Sequence, residues 1–314
     1  MMDVITFGES MVLFSPMKTG RLRYISQFEK TIGGAESNVA IALARLGYQV
    51  SWVSRLGDDE FGLFVRNFIR GEGVDTSLVT FDPDHPTGVF FKERHEEGDP
   101  KVYYYRTGSA ASYMNRSHLS ESDIAGAKIL HITGITAALS HSCRELIHYA
   151  IDIAKENDVT VVFDPNIRLK LWSENEARSE LMSIAGKCDI VLPGLEEGRL
   201  LTAKTEPEDI SESLISIGAK AVVVKLGAKG AYYHTSDSCE FIEGCKVGHV
   251  VDTIGAGDGF AAGFISGVIR NWTYREAVKL GNRVGASAVT VTGDVEGYPY
   301  WSEIVPDRSK DILR

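Results

Sequence analysis

Lysine and arginine are the minority charges in this chain: 33 of them stand against 43 aspartates and glutamates in 314 residues, a net charge of −10. A grip on nucleic acid takes a clustered surplus of those cations to neutralise phosphates, so that class of partner is excluded. Also missing is any run near the roughly 20 consecutive apolar residues that a membrane-crossing helix needs. The opening "MMDVITFGES" lacks the charged stretch followed by an apolar one that marks a secretory leader. A cytoplasmic protein with no membrane partner is expected. Cysteine is scarce: Cys143, Cys188, Cys239 and Cys245 form no metal-type pair and are expected to be free thiols of a reducing compartment. Internal repeats are absent, and no linker is long enough to separate independent domains. What is present is an ordinary globular composition, 44% hydrophobic and 24% charged, enough to bury a full core.

The chain alternates between two hydrophobic periods. "DVITFGE" (3–9), "YQVSWVSRLG" (48–57), "KILHITG" (128–134), "VTVVFDPN" (159–166), "CDIVLPG" (188–194) and "KAVVVKLG" (220–227) are short β-branched runs that predict strands. Between them lie amphipathic helices: Val39, Leu43 and Leu46 share one face of a helix over Ser37 to Gly47. Phe61, Phe64, Val65, Phe68 and Ile69 share a face of another that stops at Gly71, and Leu146, Ile147, Ala150, Ile151 and Ala154 do so on a third. Near-continuous apolar strands separated by such helices predict a doubly wound α/β layer, a mainly parallel sheet covered on both faces. Two pieces, 14–32 and 87–107, interrupt it. The second, "TGVFFKERHEEGDPKVYYYRTG", shows two β-rich runs around a charged Gly-Pro turn. Antiparallel hairpins of this kind form either a separate sheet over the strand ends, a lid, or a surface hairpin without a role.

The richest string is "DTIGAGDGFAAGFISGVI", 252–269. Phe260, Phe264 and Val268 recur every fourth residue, predicting a closely packed helix that begins just after Gly257. Gly255, Ala256 and Gly257 before it would leave backbone N–H groups bare at a helix N-terminus, an anion site. Asp258 in the first turn is then either an N-terminal cap or a base beside a bound phosphate.

This string resembles the second signature of the ribokinase-like (PfkB) family of carbohydrate kinases, Asp-Thr-x-Gly-Ala-Gly-Asp. The resemblance implies Asp258 as catalytic base and Gly255, Ala256 and Gly257 as the anion hole for the transferred phosphoryl group. "IGGAESNVAIALARLG" from Ile32 is similar to the first signature, with Gly34 and Asn38 against the sugar. "VVVKLGAKGAYY" (222–233) resembles the nucleotide strand and turn, which puts Lys225, Gly227, Lys229 and Gly230, with Asn166 and Arg168, beside ATP. Read alone, the first is a glycine turn before a helix and the second a hairpin turn. The family's Asn-x-x-Glu is here "LPGLEEG": Gly194 replaces the Asn while Glu197 remains, the residue implied to order Mg²⁺ through water. A monovalent cation, K⁺, near the loop at Asp252 is a further possibility that the family raises.

The acceptor is read from charge. A sugar acid under a lid needs matching cations, and Arg106 in "YYYRTGSAAS" and Arg168 in "DPNIRLKLW" are placed to supply them, unless Arg168 meets only ATP and Arg106 only solvent. Together with "LHITGITAALS" and "TGDVEGYP" these strings look like the 2-keto-3-deoxygluconate kinases within the family. That implies acceptor contacts from Tyr104, Arg106, the backbone near Ile135, Arg168 and Asp294, with Phe90 at an aromatic position of the lid. Asp294 read alone is a turn residue. The expected organisation is a major domain of 1–13, 33–86 and 108–314, with a lid of 14–32 and 87–107. The expected activity is phosphorylation of 2-keto-3-deoxygluconate by ATP to the 6-phosphate; fructokinase, ribokinase or a non-catalytic sensor are the rivals. A Rossmann dehydrogenase fails on glycine spacing. Sheets with one apolar face often pair between subunits, so a homo-oligomer through the lid is expected.

Overall fold

The structure, a computed structural model, describes residues 2–93 and 101–305. In chain order its strands are β1 (Met2–Phe7), β2 (Met11–Pro16), β3 (Phe28–Gly33), β4 (Val50–Gly57), β5 (Val79–Asp82), β6 (Val89–Glu93), β7 (Lys101–Tyr105), β8 (Ala127–Thr133), β9 (Thr160–Asp164), β10 (Ile190–Val191), β11 (Ala221–Lys225), β12 (Gly230–Thr235) and β13 (Cys239–Glu243). The helices that matter here are α1 (Ala35–Arg45), α2 (Glu60–Gly71), α3 (His141–Glu156), α4 (Glu174–Ala185), α5 (Leu195–Thr202), α6 (Ala256–Ile269) and α7 (Tyr274–Ala288).

Nine strands make one sheet in the order β13-β12-β11-β10-β9-β8-β1-β4-β5. It is parallel from β11 to β5, and β12 and β13 return antiparallel at one edge. Strand alternation feeds both faces. Val223 packs into the layer of α1, α2, α6 and α7, while its neighbours Val222 and Val224 pack into the layer of α3 and α4. The chain leaves β1 toward β4 and later resumes on the other side at β8, so the strand order switches between β1 and β8. Open α/β sheets bind ligands at such a point, beyond the carboxyl ends of the strands.

The second sheet, β3-β2-β6-β7, stands apart from the first. Its outer pairs are antiparallel, as the hairpin pattern predicts, but its central pair, β2 with β6, is parallel. The two segments come from separate insertions, so the junction between them is not a hairpin. Its first strand starts at Met11 rather than Phe14. The charged Gly-Pro turn lies outside the described residues. All four cysteines are free: Cys143 and Cys188 are buried, Cys239 and Cys245 exposed. Among the described residues no helix is long and apolar enough to cross a membrane.

Helix α6 begins at Ala256, two residues before the position its apolar spacing suggested, because Gly255 takes the left-handed conformation (φ 80°) and lets the chain turn directly into the helix. It packs closely on α7 through small residues: a Cβ at Gly263 would stand 2.7 Å from the Leu280 carbonyl, and one at Gly267 2.6 Å from the Ala277 Cα.

Candidate active site

Two cavities meet at the mouth of α6. The first, about 480 Å³, is bounded by α1, the small sheet and the carboxyl ends of β8 to β11; the second, about 950 Å³, lies between α6, α7 and the β12–β13 edge. Lys225, Gly227, Thr253 and Gly257 line both. Each residue expected to bind acceptor, ATP or metal, or to act in catalysis, falls on one of them. Gly34, Asn38, Phe90, Tyr104, Arg106, Ile135, Asn166, Arg168, Glu197, Gly255, Asp258 and Asp294 line the first, while Ala256, Lys229 and Gly230 line the second.

Asp258 is the third residue of α6, and the cap position belongs to Gly255, which has no side chain to offer. No side-chain cap therefore covers the first-turn amides, and the Asp258 carboxylate is not spent as one. Instead Asn38 Nδ2 donates to its Oδ2 at 2.8 Å, and Asn166 Nδ2 lies 3.5 Å from its Oδ1. Asn38 comes from α1, whose N-terminus follows Gly34; a Cβ at Gly34 would come within 2.9 Å of Ser10 Cα, so only glycine lets the link from β1 to β2 lie this close to the start of α1. Asn38 Oδ1 has no hydrogen-bond partner among the described residues, a buried acceptor left for a ligand. Asn166 follows β9 in the left-handed region (φ 37°), which asparagine tolerates. Burial pushes the Asp258 carboxyl up to about 7; Asn38 opposes the rise, Asp164 adds to it, and Lys225 and Arg168 pull it down.

Beside Asp258 lies a buried charge cluster. Lys225 Nζ donates to Asp164 Oδ2 at 2.6 Å. Burial works against the lysine's charge, but Asp164 and Glu197 outweigh it and its pKa moves up. Glu197, at the third position of α5, accepts from the Gly194 and Ile167 amides, each at 2.7 Å, and burial followed by the Asp164 charge raises its pKa. A Cβ at Gly257 would meet only Lys225 Nζ, 3.8 Å away, so the ammonium faces the bare start of α6. Cations and unpaired helix amides converge here on a space that suits an anion.

At the far end of the first cavity Arg106 is buried, ion-paired to Glu9 and set over the Tyr104 ring, which stacks on Phe90 at 5.5 Å. Arg106 is thus not a solvent residue, and its Nε has no hydrogen-bond partner among the described residues. Arg168 is exposed on the cavity rim, and its guanidinium donates to the Ile167 carbonyl at 3.2 Å. Asp294 packs over Gly33, and burial raises its pKa against the pull of Lys92.

The sequence profile of the pfkB family carbohydrate kinases matches residues 1–300. The chain belongs to this family. It is 42% identical over 300 residues to a 2-dehydro-3-deoxygluconokinase of Bacillus subtilis (strain 168), covering 95% of this chain and 93% of that protein. A crystal structure of a PfkB protein from Polaromonas sp. JS666 superposes with a TM-score of 0.90 at 40% identity over 97% and 99% of the two chains. A fructokinase from Vibrio cholerae O395, crystallised with fructose, ADP and a calcium ion, superposes with a TM-score of 0.85 at 31% identity over 95% and 96%.

Three residues of this PfkB kinase site were not singled out in the sequence. Glu9, 2% exposed, follows β1 and holds Arg106 and the Ser109 hydroxyl. Asp164 ends β9 inside a quoted string, "FDPN", without being picked from it. Lys92, 1% exposed, reads as one of several surface charges in "FFKERHEEGD", and only the fold turns it inward.

Proposed function

We propose that this kinase transfers the γ-phosphoryl group of ATP to the terminal hydroxyl of 2-keto-3-deoxygluconate, with Asp258 as general base. The observation that carries this reading is the Asp258 carboxylate: free of any capping duty, oriented by Asn38 and Asn166, and set where the two cavities join. The larger cavity, with Phe241, Val250, Phe260 and Val289 on its walls, suits a purine, and the part shared with the smaller cavity at Lys225 and Gly257 suits the phosphates. The acceptor would lie in the smaller cavity under the sheet that carries Phe90, Tyr104 and Arg106, which then acts as a lid. Asp258 takes the hydroxyl proton as that oxygen attacks the γ-phosphorus in line and the bond to the β–γ bridging oxygen breaks, releasing ADP; the first-turn amides of α6 and Lys225 stabilise charge on the equatorial oxygens, and the covering sheet keeps water out. Among the described residues no three metal-ligating side chains stand together. Glu197, a carboxylate held by the Ile167 and Gly194 amides on the wall of the first cavity, would be the residue to meet a Mg²⁺ brought in on the triphosphate, and the metal would supply charge neutralisation there.

Arg106 and Arg168 support an acidic acceptor, as does the likeness to the Bacillus subtilis enzyme. The Glu9 carboxylate, which already offsets the Arg106 charge, favours the second reading, a neutral sugar such as fructose. ADP release measured with 2-keto-3-deoxygluconate, fructose and ribose decides between them. The keto-acid is expected to give the highest kcat/KM, and Arg106→Ala and Arg168→Ala to raise its KM about tenfold or more, the scale of a lost charge-assisted hydrogen bond, with a smaller effect on fructose. Equal effects on both acceptors contradict the acid preference.

A further inference from the structure

Lys92 is the most deeply buried cation of the first cavity that the mechanism leaves without a task. It sits on β6 two residues beyond Phe90, so both side chains point from the same face of the small sheet into the cavity. Its Nζ lies 2.7 Å from Asp294 Oδ1 and 3.6 Å from Asp252 Oδ2, and all three side chains are nearly excluded from solvent. A lysine in such surroundings persists only when paired. Here the pairing joins three distant parts of the chain: the small sheet, the loop that leads into α6, and the loop after α7. With Oδ1 of Asp294 held by the ammonium, Oδ2 is left over the Gly33–Gly34 turn, where a Cβ at Gly33 would meet it at 2.7 Å. The Asp294 carbonyl in turn abuts Gly255 at the start of α6.

We propose that Lys92 is a positioning residue for the acceptor: its ammonium fixes the Asp294 carboxylate so that the free oxygen receives the acceptor's hydroxyls, and it makes that recognition depend on the small sheet being seated. The proposal rests on the reading of Asp294 as an acceptor contact.

The test is initial-rate kinetics by ADP release, with 2-keto-3-deoxygluconate and D-fructose as separate acceptors, on Lys92→Met, Lys92→Arg, Asp294→Asn and the Lys92→Met/Asp294→Asn double variant. Lys92→Met should raise the acceptor KM about tenfold or more, the usual scale for losing a charged hydrogen-bond partner, while the KM for ATP moves less than about twofold. Lys92→Arg should recover most of the loss. The double variant should be no worse than Asp294→Asn alone, since the lysine acts through that carboxylate. Equal rises in both KM values, or an unchanged acceptor KM in a folded Lys92→Met protein, overturn the proposal. If Lys92→Met does not fold, Lys92→Gln, which removes the charge and keeps a hydrogen-bond donor, is read in the same way. If Asp294→Asn leaves the acceptor KM unchanged, the reading of Asp294 falls and the proposal falls with it. If Asp294→Asn raises that KM and Lys92→Met does not, only the role of Lys92 is lost.

Discussion

At the scale of single residues, Asp258 is held in tension. A carboxylate that accepts a proton at neutral pH must not be too weak a base, and burial raises its pKa to about 7 while Asn38, Lys225 and Arg168 keep it from rising further. Only the ionised carboxylate can take the hydroxyl proton, so kcat/KM should be full above that pKa and fall as pH drops through about 7. Asn38→Ala removes a hydrogen bond that favours the charged form, so the inflection should move to higher pH. A pH–rate profile on both proteins checks this; a flat profile across the neutral range, or one that is identical in Asn38→Ala, contradicts it.

At the scale of elements, the start of α6 depends on how the helix body is packed. Gly263 and Gly267 let α6 lie against α7 with backbone nearly touching backbone, and that contact sets where Gly255, Ala256 and Gly257 present their amides. Gly263→Val should force the helices apart at a cost of about 1–3 kcal/mol, the usual range for overpacking, read as a lowered urea midpoint with an unchanged slope. Wild-type stability in that variant would mean the contact is slack. The helix itself was plain in the sequence, because Phe260, Phe264 and Val268 mark one face. Its first turn was not, because Gly-Ala-Gly reads as loop until Gly255 is seen to take the turn alone. The parallel β2–β6 junction was illegible for a different reason: pairing between segments far apart in the chain leaves no local pattern.

At the scale of the whole molecule, the succession of strands and helices was readable because period-2 and period-3.6 runs alternate cleanly, whereas the strand-order switch beside β1 was not, because pairing of β1 with β4 and β8 is set by contacts far apart in the chain. The candidate site was readable where glycines and an Asp stand at fixed spacing, as in 252–258. It was unreadable where a residue acts only through its tertiary neighbours: Glu9 is an ordinary acid until Arg106 folds onto it, and Lys92 an ordinary surface charge until β6 turns it toward Asp294. The smaller cavity is thus assembled from α1, the small sheet and four strand ends, and the Asp258 carboxylate lies on its wall. The measurement that tests this most directly is steady-state turnover of Asp258→Asn beside calorimetric titration of the same protein with ATP and with acceptor. The account predicts a kcat lower by about a hundredfold or more, the scale of a lost general base, with both ligands still bound near wild-type affinity. Turnover at the wild-type rate would contradict it.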